Sequence, residues 1–351
     1  MTLLAELVET SDRVAETPAR LAKVRALAER LRALEGDEIA IGAQHLSGSV
    51  PQGRLGIGYA VLQAAGNGDR AAHPSLTVAD VDRRLGEIAV MRGTGAAALR
   101  VEALRALFSL ATAAEREFLI RLLAGELRQG ALAGVMTDAI AAAAGLSPAP
   151  VRRAMMYAND VGAVARAALL EGDAGLAAFQ LEVLSPIAPM LAQTASDPAD
   201  ALRQLGGEAA IEWKMDGARI QAHKSGDTVA IYTRNLNEVG AAVPEIVATV
   251  AALPATDLIL DGEAIALDAS GRPYPFQVTM RRFGRKLDVE ALRAELPMRA
   301  FFFDCLRHDG VSVADRPTRE RHAALVAAVS PDLRIPRLVP TSAAAALGRA
   351  S

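Results

Sequence analysis

Cysteine occurs once in the 351 residues, at Cys305, so no disulfide can form within the chain and no cysteine cluster is available for zinc. A reducing compartment, the cytoplasm, is expected. Aromatic residues make up only 4% of the chain, which leaves Ala, Leu and Val to fill the cores. No run of 18 apolar residues occurs, and the first ten residues carry acids where a signal peptide would carry basic residues. A membrane partner is therefore not expected. An excess of one charge is lacking too: the formal net charge is −3 and neither half of the chain is basic. A nucleic-acid partner would have to be met by local patches, by helix N-termini and by bound cations.

What is present suits two domains, with 51% hydrophobic residues to supply their cores. Residues 1–184 read as all-α. Thr17 is placed to cap a helix with Pro18 at its first position, with Leu21, Val24, Leu27, Ala28, Leu31 and Leu34 on one face and Gly36 as the stop. Thr112 and Glu115 have the spacing of a capping box, opening a helix that should run on towards Gly130. Ser147-Pro148 and Gly172 punctuate two more. Two Gly-Arg turns stand out as phosphate-binding candidates, Arg92-Gly93-Thr94-Gly95 ahead of a helix near Ala96, and Arg128-Gln129-Gly130. Free amides at a helix N-terminus beside an arginine suit a DNA phosphate, although the same glycines would serve as simple caps.

A Pro-rich linker over 185–198 separates this part from a strand-rich pattern in 199–351. There, 208–214 and 218–224 read as two strands joined by the turn dipeptide Asp216-Gly217, with a third strand over 228–234 after Ser225-Gly226-Asp227. A helix over 243–253 and strands over 257–267 and 299–306 follow. Lys214 falls at the first bend. Partial burial by Ile211 and Trp213, together with nearby Arg219, should lower its pKa towards that of a nucleophile.

Lys214, Asp216, Gly217 and Arg219 match the Lys-x-Asp-Gly-x-Arg motif of covalent nucleotidyltransferases, and the chain resembles the ATP-dependent DNA ligases in particular. Tyr232-Thr-Arg-Asn, Asp261-Gly-Glu-Ala and Phe302-Phe-Asp follow in the family's order. Phe118-Leu-Ile-Arg-Leu-Leu-Ala-Gly-Glu-Leu-Arg-Gln-Gly is similar to a segment of the helical DNA-binding domain such ligases carry, and Pro189-Met-Leu-Ala to the start of their cores. The resemblance implies a multidomain protein, an all-α N-terminal DNA-binding domain followed by an α/β (α+β) nucleotidyltransferase domain. It implies that Lys214 attacks the α-phosphate of ATP to form a lysyl-AMP, with Asp216, Gly217 and Asp261 supporting the motif. Arg219 and Arg234 would pair with phosphate or ribose oxygens, Glu263 would hold the ribose or, through water, Mg²⁺, and Phe303 would stack on adenine. Glu212 would accept from the adenine amine. His223, Asp304 and Cys305 are expected to be structural. The implied partner is nicked duplex DNA, met by a monomer in replication, repair or recombination.

The family's later Glu-Gly segment, Lys-x-Lys strand and OB-fold domain have no counterpart in this sequence, so the expectation is a partial adenylation domain that seals nicks poorly. Three function classes stay open: a DNA ligase, another covalent nucleotidyltransferase such as an RNA ligase or mRNA capping enzyme, and a non-catalytic DNA-binding remnant. A NAD-dependent ligase fits worse, because it would bring a cysteine zinc site.

Overall fold

The computed structural model describes residues 1–53, 55–127, 133–189, 192–284 and 289–339. The chain divides into two compact units, Met1–Gln180 and the part from Leu181 onward. Among the described residues no helix is long and apolar enough to cross a membrane.

The first unit is helical. Its elements are α1 (Leu4–Glu16), α2 (Arg20–Ala33), α3 (Glu38–Ser47), α4 (Tyr59–Gly66), α5 (Val78–Ala89), α6 (Ala96–Ser109), α7 (Ala113–Ala124), α8 (Ala133–Ala144), α9 (Pro148–Ala158) and α10 (Val161–Ala177). They enclose two cores, and α1 is the wall between them. Leu7 and Val14, two turns apart, join Leu27, Leu31, Ile39, Ile140 and Val164. Leu4 and Val8, one turn apart, face the other way onto Leu62, Leu85, Leu104, Phe108 and Phe118.

Thr17 does not cap a helix N-terminus as its sequence context predicts. It ends α1, and α2 begins three residues later at Arg20. Leu21 is correspondingly exposed, while Val24, Leu27, Ala28, Leu31 and Leu34 are buried. The Thr112/Glu115 capping box forms as read, with the Glu115 N–H donating to Thr112 Oγ1 and the Thr112 N–H to Glu115 Oε2. Its helix stops at Gly125, which takes a left-handed φ of 71°, rather than at Gly130.

In the second unit, β2 (Ala218–Ser225), β3 (Thr228–Thr233), β4 (Asp257–Ala266), β5 (Met298–His308) and β6 (Val311–Ser312) form one sheet in the order β3-β2-β4-β5-β6. All of its neighbours are antiparallel. Helices α11 (Pro198–Gln204), α12 (Pro244–Ala251), α13 (Phe276–Thr279), α14 (Arg281–Gly284), α15 (Val289–Glu295) and α16 (Thr318–Ala328) complete it. One sheet face contributes Ile220, Ala222, Ile231, Leu258, Leu260 and Phe302 to a core shared with Ile246 and Val250 of α12 and Leu325 of α16. Lys224 snorkels to the end of α12, donating from Nζ to the carbonyls of Ala251 and Leu253 at 2.8 and 2.5 Å.

The hairpin expected around Asp216-Gly217 does not form. Strand β1 is only Ile211–Glu212, and it pairs with β7 (Arg337–Leu338) instead of with β2. The intervening residues are a loop, so Lys214 lies outside any strand.

Candidate active site

Strand alternation builds the floor of the site. Asp261 and Glu263, two apart on β4, share one face, and Gly262 between them points to the other. A Cβ on Gly262 would come within 2.8 Å of the Phe302 ring, so only glycine lets Phe302 close the core there. On β2, Arg219 lies directly opposite Glu263. Its guanidinium forks onto Asp261, with Nε–Oδ1 at 3.0 Å and Nη2–Oδ2 at 2.6 Å.

Gly217 explains its own place in the motif. A Cβ there would meet the Ala264 carbonyl oxygen at 2.4 Å. The bare backbone instead runs against β4, and its N–H donates to Glu263 Oε1 at 3.1 Å. This tie sets where the loop bearing Lys214 and Asp216 leaves the sheet.

Phe303 owes its position to a β-bulge. The β4–β5 register steps from Asp261 opposite Asp304 to Gly262 opposite Phe302, leaving Phe303 as the extra residue. Phe302 is consequently buried while Phe303 and Asp304 are both left half-buried. The Arg219 guanidinium sits 5.4 Å from the Phe303 ring centroid, within cation–π range.

The electrostatics correct one expectation. Lys214 is not desolvated: its side chain is 84% exposed, and Trp213 is 70% exposed. Nζ is paired with Asp216. That hydrogen bond and charge, with Glu263 adding to them, hold the amine above the usual lysine range rather than below it. The resting nucleophile candidate is an ammonium. Burial raises the Asp261 carboxyl, with the Asp304 carboxylate adding to it and Arg219 pulling against both. Burial also raises Glu263, against the Gly217 N–H and Arg219.

Contacts and charge thus connect Lys214, Asp216, Gly217, Arg219, Asp261, Glu263 and Phe303. Two expected members stand apart from that network. Glu212 is held by Arg337, whose Nε donates to Oε1 at 2.6 Å. Arg234 is exposed in the turn that follows β3. Of the residues expected to be structural, His223 is buried, accepts from the Leu184 N–H at Nδ1, and has a pKa lowered to about 4 by burial. Burial pushes the Cys305 thiol up to about 12. A partner of Asp304 escaped the sequence reading, namely Arg321 of α16, whose Nε donates to both carboxylate oxygens at 2.9 and 3.0 Å.

In the helical unit, Gly93 and Gly95 take left-handed φ values of 86° and 85° ahead of α6 and are exposed. Arg92 folds back onto the carbonyls of Ala89 and Met91 at the end of α5. Arg128 and Gly130 lie outside the described residues, as do Met190 and Leu191 of the Pro-Met-Leu-Ala segment.

Two family models match: "ATP dependent DNA ligase domain" over residues 189–346 and "DNA ligase N terminus" over residues 59–141. A probable DNA ligase of Anaeromyxobacter sp. (strain K) is 57% identical over 346 residues, covering 98% of this chain and 67% of the relative. This chain belongs to the ATP-dependent DNA ligase family. Probable DNA ligases of Anaeromyxobacter dehalogenans (strain 2CP-C) and Mycolicibacterium gilvum (strain PYR-GCK) are 57% and 50% identical, over 96% and 98% of this chain. The chain spans 66% of the length of the A. dehalogenans relative and 67% of the M. gilvum one. A solved structure named Pmar-Lig_Pre shares the fold, with a TM-score of 0.51 at 16% identity, over 95% of this chain and 66% of its own. Membership gives the motif residues a common setting: a ligase-type helical region followed by an α/β sheet domain that carries the lysine loop.

Proposed function

We propose that this protein activates ATP on Lys214 and uses the lysyl-AMP to seal nicks in duplex DNA. One observation carries the reading. The motif lysine is exposed on a loop tied by the Gly217 N–H to Glu263, beside an arginine fixed by Asp261 under which an aromatic ring lies.

Nζ would attack the α-phosphorus, a P–N bond forming as the bond to pyrophosphate breaks. The amine must first shed its proton, which the pair with Asp216 opposes. Arg219, paired with Asp261, supplies a fixed positive charge near the reacting phosphate, and Arg234, exposed in the turn after β3, is available to the nucleotide. Phe303 offers a half-buried ring for the adenine. Glu212 can reach the adenine amine only alongside its bond to Arg337.

No group of three or more metal-ligating side chains occurs among the described residues. Mg²⁺ is ordinarily held by one or two carboxylates together with substrate phosphates. Glu263 is the carboxylate we assign to it, and the ion would neutralise phosphate charge.

In the helical unit, the exposed Gly93 and Gly95 amides with Arg92, and Arg128 with Gly130, are the proposed DNA contacts, and 1–184 the DNA-binding part. Nicked duplex DNA is the substrate favoured over an RNA end by the match to the ligase N-terminal model. A cytoplasmic monomer in replication, repair or recombination is the setting we infer, and a single free, buried cysteine suits a reducing compartment.

Incubation with α-labelled ATP and Mg²⁺, then with nicked duplex, tests the reading. Stable label on the protein with ATP but not GTP or NAD, discharged by nicked DNA, is expected. Label from GTP alone would move the protein to a capping-type activity, and no label would leave a DNA-binding protein.

A further inference from the structure

We propose that Arg321 is a positioning residue for the nucleotide, acting through Asp304 to hold the β5 bulge that presents Phe303; the inference rests on the ATP-activating reading above. The bulge leaves Phe303 without a ladder partner, so its placement depends on how the flanking residues, Asp304 among them, are held. Asp304 does part of this locally, its Oδ1 accepting from the Cys305 N–H at 3.0 Å. Arg321 does the rest from another element, donating from Nε to both Asp304 oxygens. Its own guanidinium is anchored, with Nη1 donating to the Arg316 carbonyl at 2.8 Å and Nη2 to Thr318 Oγ1 at 3.4 Å. Both side chains of the pair are largely buried, so the geometry is fixed rather than solvent-averaged.

Charge supplies a second argument. Asp304 lies directly opposite Asp261 across the ladder, two carboxylates on neighbouring strands, and each has its own arginine: Arg219 for Asp261 and Arg321 for Asp304. Asp304 also acts on Arg219 electrostatically. Without Arg321, the unpaired Asp304 carboxylate would compete for Arg219, drawing it from Asp261 and from the face of Phe303. A pair that served folding alone would not couple to what happens at that ring.

The test is calorimetric titration of the protein with ATP, comparing Arg321→Gln, Phe303→Ala and the double variant. Arg321→Gln should weaken ATP binding by about tenfold, the scale of a lost base–aromatic stack. The double variant should bind no more weakly than Phe303→Ala by about a factor of two, because both changes remove the same contact. Arg321→Lys, which keeps the charge, should recover part of the affinity and serves in place of the glutamine variant if that one does not fold. ATP affinity unchanged in Arg321→Gln or Arg321→Lys, or losses that multiply fully in the double variant, would overturn the positioning role alone. Failure of the unsubstituted protein to bind ATP would overturn the ATP-activating reading and this inference with it.

Discussion

The two units differ in how deeply they bury their charge pairs. In the helical unit a buried polar group is bonded within its own turn, as Thr137 Oγ1 is to the Ala133 carbonyl, or to a neighbouring helix, as Thr10 Oγ1 is to Arg30 Nε, or has no partner among the described residues, as with both ring nitrogens of His45; the ion pairs described there each keep at least one well-exposed side chain. In the sheet unit ion pairs with both side chains largely buried bridge different elements: Arg219–Asp261 joins β2 to β4, Arg307–Asp257 joins β5 to β4, Arg321–Asp304 joins α16 to β5, and Arg282–Glu245 joins α14 to α12. A buried pair adds little net stability over apolar packing, but breaking one leaves an uncompensated charge. The helical unit is therefore expected to lose less than the sheet unit when one charge pair is broken. The sheet unit, where the candidate site lies, has its strands and helices fixed relative to each other by charge.

The largest expected effect tests that contrast at Glu245. Arg282 is essentially fully buried, and Glu245 also accepts from the Met298 N–H. Glu245→Ala should destabilise the sheet unit by about 3–5 kcal/mol and leave the helical unit unchanged. Hydrogen exchange followed separately in the two units measures this. Equal loss of protection in both would break the comparison.

The two buried histidines sharpen it. His223→Leu would leave the Leu184 N–H without its acceptor and should cost about 1–3 kcal/mol, whereas His45→Leu removes an orphan and should cost nothing or stabilise. Acid acts on both. Burial lowers each pKa to about 4 from an ordinary 6.5, so the unfolded chain takes up the proton first. The stability from the neutral rings is complete above about pH 6.5 and is lost as pH falls towards 4. His45→Leu should make the helical unit less acid-sensitive, and circular dichroism across that pH range reads the change. A His45→Leu protein that lost stability at neutral pH would mean that the ring has a partner after all.

The smallest expected effect is at the surface of the helical unit. Arg13 and Glu29 pair at 3.0 Å with both side chains about half exposed, and Arg13→Ala should change stability by about 1 kcal/mol or less. A urea-unfolding midpoint shifted further than that would show the helical unit to depend on charge as the sheet unit does.

How much was legible in the sequence follows the distance over which each feature is determined. The Thr112/Glu115 box spans three residues and forms as read. The Asp261–Glu263 pair on one strand face follows from alternation, as does a strand, β2, starting at Ala218. Thr17 was misread because a capping residue and a helix-ending residue look alike until α1 is known to precede it. Lys214 was misread because burial by Ile211 and Trp213 presumes a strand partner for 208–214 in β2, whereas the actual partner of β1 is β7. Glu212's tie to Arg337 spans 125 residues, and Arg321's to Asp304 crosses from helix to strand. No local pattern announces either. The charge bridges that distinguish the sheet unit are for this reason the part of the site least visible in the sequence.

The nucleophile we assign is the exposed, Asp216-paired amine of Lys214. The assignment is tested most directly by mass mapping of the AMP adduct after brief incubation with ATP and Mg²⁺ at a series of pH values, for this protein, Lys214→Arg and Asp216→Asn. The adduct should lie on the peptide carrying Lys214 and be absent from Lys214→Arg, because a guanidinium does not deprotonate in a protein. It should form faster by about tenfold per pH unit while the amine is mostly charged, with the Asp216→Asn profile moved to lower pH because the group that raises the amine's pKa has been removed. An adduct that persists in Lys214→Arg, or maps to another residue, would contradict the account.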